Sequence, residues 1–162
     1  MLVGKIKTKK QLKVILQKIA KIENVKSLRF RSAIDKQYNI DGMYNGITKT
    51  ITISQSLPIR TTLLTFFHEL GHHVAVENGL WHRYHRGDDK FSAEYAFLIE
   101  NSIDKIARML WRKYVDTELH KRYVFTYTKA RKAYFVAFFR DYFNIEEDYI
   151  EKDVLNKLLT LK

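Results

Sequence analysis

The chain has 162 residues, 46% of them hydrophobic, with ten Tyr, ten Phe and two Trp. That composition is globular, and the length suits one domain large enough to bury a core unaided. Cysteine is absent, so disulfides and thiolate metal sites are excluded, and any metal must be held by His, Asp or Glu. The net charge of +11 is concentrated early, where residues 1–60 carry 13 Lys/Arg against Glu23, Asp35 and Asp41.

The N-terminus, MLVGKIKTKK, has lysines where a secretory signal needs apolar residues, and no uncharged apolar run has membrane-spanning length. The expectation is a cytoplasmic protein with no membrane insertion. The basic N-terminal third reads first as a solvated lysine-rich face, and it could also attract nucleic acid.

Thr8-Lys9-Lys10-Gln11 has the form of a capping box. Leu12, Ile15, Leu16, Ile19 and Ile22 then recur at helical spacing opposite lysines, predicting an amphipathic N-terminal helix. Residues 27–31 read as a strand. Asn45-Gly46, followed by the alternation Ile47, Lys49, Ile51 and Ile53, predicts a hairpin. Ser56 and Pro58 suit the entry to a helix running to Asn78, with Gly79 as its left-handed cap. A polar loop, LWHRYHRGDDK, leads to a helix from about Ala93 to Tyr114, and further aromatic-rich helices follow from Thr117. The predicted whole is one α+β domain. It comprises a basic helix and three-stranded sheet (1–60), metal-site helices (61–115) and a helical C-terminal part (116–162).

The chemistry is concentrated in LLTFFHELGHHVAVENG, residues 63–79. His68 and His72, four apart, lie one above the other on one helix face and could bind a single Zn²⁺ through ring nitrogens. Glu69 is rotated about 100° from His68. It suits a general base acting on metal-bound water better than a third ligand. His73 points about 100° away from His72 and reads as structural or as a supporting partner of the metal ligands. Gly71, costly within a helix, implies close approach by a neighbouring element.

A threonine-isoleucine strand, then a helix carrying HELGH, then a helix with a glutamate resembles the zincin metallopeptidase superfamily. KTITIS and LLTFFHELGHH are most similar to the ImmA/IrrE type of small intracellular metallopeptidase. The resemblance implies a peptidase with one zinc per chain and a protein or peptide substrate lying along the strand before the motif helix, as the sheet edge. It also implies His68 and His72 as ligands and Glu69 as the base. Glu94, in FSAEYAFLIEN, matches the third ligand, with Asn101 on its face as a supporting partner. Glu100 lies on a different face of that helix from Glu94. His82 or His85 would supply the third ligand in a SprT-like protease, which cuts proteins on DNA. His82, His85, Tyr84 and Tyr95 are candidates for a second oxyanion donor. A competing reading is a basic nucleic-acid-binding module, supported by the lysine-rich first third and by aromatics among Lys/Arg in residues 123–140.

Overall fold

The computed structural model describes residues 2–4, 6–32, 40–79 and 93–122. Among these the architecture is mixed α+β, with four helices and a small three-stranded sheet. The elements are α1 (Lys9–Ile22), β1 (Ser27–Arg31), β2 (Gly42–Asn45), β3 (Thr50–Ser54), α2 (Ile59–Glu77), α3 (Ala93–Tyr114) and α4 (Thr117–Arg122). The chain forms two compact units, Met1–Arg83 with Asn101–Tyr123, and Tyr84–Glu100 with Val124–Lys162. The described part of the second unit is the opening stretch of α3, an unbroken helix that continues into the first. The aromatic-rich sequence after residue 122 lies outside the described residues.

Local chemistry explains the start of α1. Thr8 Oγ1 accepts from Gln11 N at 3.2 Å, and Gln11 Oε1 accepts from Lys7 N at 3.0 Å. The reciprocal cap therefore forms, with its second bond one residue further out than the capping box has it. Leu12, Leu16 and Ile19 are buried, and Lys9, Lys10, Lys18 and Lys21 are exposed.

The sheet order is β1-β3-β2, with β1 parallel and β2 antiparallel to β3. The strand preceding the motif helix is thus interior, not the edge the sequence suggested, and all five of its residues are buried. Its alternation puts Ile51 and Ile53 on one face and Thr50, Thr52 and Ser54 on the other, and both faces are buried. The hairpin forms, but its turn takes Gly46–Lys49, and Ile47 is 88% exposed instead of beginning the strand. Asn45 Oδ1 accepts from Thr48 N at 2.9 Å, and Lys49 takes φ +50°, so the side-chain turn of Asn45 displaces the simple Asn-Gly turn.

Helix α2 starts after Pro58, not at Ser56, whose hydroxyl bonds Ser54 Oγ at 2.8 Å. It ends before Gly79, which has the expected left-handed φ of +82°. In the first unit, Phe66, Phe67 and Leu70 of α2 join Leu12, Leu16 and Ile19 of α1, Ile51 and Ile53 of β3, and Trp111 and Tyr114 of α3 in one core. Val3 extends it: its N donates to Tyr114 O at 2.9 Å, and Asp116 N donates to Val3 O at 2.8 Å. Full burial of such side chains contributes about 1.5–3 kcal/mol each, and α2 supplies Phe66, Phe67 and Leu70 among them. No helix among the described residues is long and apolar enough to cross a membrane.

Candidate metal centre

Helix α2 is buried around most of its circumference and carries three histidines, His68, His72 and His73. His68 and His72, spaced one turn apart, bring their Nε2 atoms to 3.2 Å, with the rings nearly perpendicular at 82°. Two donors bound to one zinc at tetrahedral angles with bonds of about 2.0–2.1 Å stand about 3.4 Å apart. The observed spacing is close to that value.

The carboxylate brought to this pair is Glu100, which is buried at 3% exposure. One ligand atom from each of His68, His72 and Glu100 lies within 4.8 Å of the others, a group that could hold a metal ion. Glu94 and Tyr95 occupy the first turn of α3 and Asn101 follows Glu100, but their side chains lie outside the described residues, as do His82, Tyr84 and His85 entirely.

Asp104 completes the arrangement and was not singled out from the sequence. Its Oδ1 lies 3.3 Å from His68 Nδ1, both side chains being largely buried. A carboxylate accepting from Nδ1–H fixes the tautomer that leaves Nε2 as the donor atom for a metal, and it raises the ring's basicity. Glu100 and Asp104 are four apart and so share a face of α3. That spacing is the signal that could have found both, since an acidic pair one turn apart faces a histidine pair one turn apart.

Gly71 explains how α3 comes so close. A β-carbon there would lie 2.8 Å from the Ile103 carbonyl oxygen and 3.1 Å from Ile103 Cγ2. The close approach expected from a mid-helix glycine is therefore present, and its partner is α3. Glu69, the residue after His68, is buried at 7% exposure on the side of α2 facing β2.

His73 is built differently. It is fully buried, with Nε2 at 2.7 Å from the Glu23 carbonyl oxygen and Nδ1 at 3.0 Å from Tyr44 Oη. A carbonyl can only accept, so Nε2 carries the proton and Nδ1 accepts from the tyrosine. Burial, and then the charge of Glu77, push the Tyr44 hydroxyl above its ordinary range, keeping it a donor. His73 thus ties α2 to β2 and to the end of α1, as its expected structural role requires. The Glu23 side chain extends this link, accepting from Lys113 Nζ at 2.8 Å and from the Tyr114 hydroxyl. Burial raises the Glu23 carboxyl, but the hydrogen bonds from Lys113 and Tyr114 and the Lys113 charge outweigh it, and the net shift is below the usual carboxylate range.

Comparison with protein-family models, with curated proteins and with solved structures found no match for this chain.

Proposed function

We propose that the chain is a zinc-dependent peptidase of zincin type, in which His68, His72 and Glu100 hold one Zn²⁺ and Glu69 is the general base. The observation that carries this reading is the convergence of two imidazole Nε2 atoms at 3.2 Å with a buried carboxylate in the same group. Two histidines and a glutamate are a ligand set found in catalytic zinc sites, where a fourth position serves water or substrate. The HELGH spacing and the mixed α+β fold are in keeping with it. Glu100 replaces Glu94 as the proposed third ligand.

A zinc ion held there would supply Lewis acidity, making an attacking water far easier to deprotonate near neutral pH. His68 is held in the ligating tautomer by Asp104. Glu69, one residue beyond His68, takes the proton from the attacking water and returns it to the amine nitrogen as the peptide C–N bond breaks. A carboxylate is the right group for both transfers because it can accept and then donate at one oxygen. With β3 interior, β2 becomes the edge strand nearest Glu69 among the described residues, and an extended substrate would lie along it.

The test compares zinc-loaded wild type with Glu69→Gln on unfolded, fluorescein-labelled casein, after metal analysis of both. The expected result is one zinc in each protein and cleavage by wild type that falls at least about 100-fold in the variant. Equal cleavage, or none by a zinc-loaded wild type, would reject the assignment.

A further inference from the structure

Gly42 opens β2, and its Cα lies over one face of α2. A β-carbon built there would sit 2.3 Å from Thr65 Cγ2 and 3.1 Å from both Cγ and Oε1 of Glu69. The first distance is far inside the separation at which carbon atoms attract. The other two are also too close for ordinary contact, and Oε1 belongs to the carboxylate assigned above to proton transfer. Gly42 does not adopt a positive φ, the conformation that most often demands glycine. Its requirement is one of space.

Thr65 and Glu69 are four apart and face the strand together. Thr65 is β-branched and has few side-chain rotamers available on a helix. Glu69 is buried and has little room to retreat. We infer that Gly42 is a positioning residue for Glu69: the bare Cα of β2 is the wall against which the carboxylate stem rests. A side chain at position 42 displaces Oε1 from its place against β2, leaving the metal ligands where they are. The effect on turnover rests on the peptidase reading, whereas the contact itself does not.

Gly42→Ala alone could disturb folding through Thr65, so the informative protein is Gly42→Ala/Thr65→Ser, in which the clashing methyl is gone and the Glu69 contacts remain. It is compared with Thr65→Ser, using the full zinc-loaded chain and labelled casein. A second readout is the ¹³C carboxyl resonance of Glu69, identified by its disappearance in Glu69→Gln. We expect the double variant to hold one zinc and keep the KM of Thr65→Ser. Its kcat should fall on the order of 10–100-fold, as displacement of a reacting group does, and the Glu69 resonance should shift. An unchanged kcat, an unmoved resonance or loss of the zinc overturns the inference. If wild type cleaves casein no better than Glu69→Gln, the peptidase reading fails instead. The resonance then decides alone: a shift supports the contact, and no shift overturns it.

Discussion

His72 and His73 are neighbours on the same helix, yet they serve opposite purposes. His72 meets His68 with Nε2 facing Nε2 at 3.2 Å, in a group that Glu100 joins. His73, about 100° around the helix, uses both ring nitrogens on protein partners, Tyr44 and the Glu23 carbonyl. A histidine whose two nitrogens are engaged by a hydroxyl and a carbonyl has no lone pair to offer a metal. One whose Nδ1 leans on a carboxylate, as His68 does on Asp104, has its Nε2 prepared for one. Residue type is the same in all three positions, and the surroundings decide between a candidate ligand and a latch.

That contrast can be broken most severely at the ligands. His72→Ala should reduce zinc, measured by mass spectrometry of the purified protein, to background while changing the melting temperature of the metal-free protein little. His73→Ala should do the reverse. It leaves a buried hydroxyl and carbonyl without their partner, at a cost of about 2–4 kcal/mol in urea unfolding, and the folded protein should still take up one zinc. Should His73→Ala lose zinc at a temperature where it is folded, the division of labour would be wrong.

A smaller effect is expected at the carboxylate behind His68. Asp104→Asn should weaken zinc binding by about 10–100-fold in a competition titration, as loss of such partners does, without abolishing it. The smallest effect concerns the latch. Because the Glu23 carboxyl is held below its ordinary value of 4.5, the stability it adds is present above that pH and is lost as pH falls through its lowered value. Urea midpoints of wild type should therefore drop below pH 4.5 more steeply than those of Glu23→Gln. Parallel profiles would remove Glu23 from the account.

Much of this was legible in the residues. The capping box, the helical stripe of α1, the existence of the hairpin though not its turn, the left-handed Gly79 and the histidine pair each depend on contacts within a few positions, where spacing determines geometry. Gly71 announced a close neighbour but not which one. Two things were illegible for one reason. Whether Glu94 or Glu100 faces the pair depends on the rotation of α3 about its own axis, since six residues turn a helix by about 240°. That rotation follows from Ile103 and Ala107 seating against Gly71, a contact across more than 30 positions of chain. The placement of β3 inside the sheet likewise depends on its parallel pairing with β1, which no local pattern encodes.

The most direct test is the zinc content of wild type, Glu100→Ala and Glu94→Ala, purified without chelator and measured by mass spectrometry. One zinc per chain in wild type and in Glu94→Ala, with loss in Glu100→Ala, is the predicted result. Zinc retained in Glu100→Ala and lost in Glu94→Ala would contradict the centre described above.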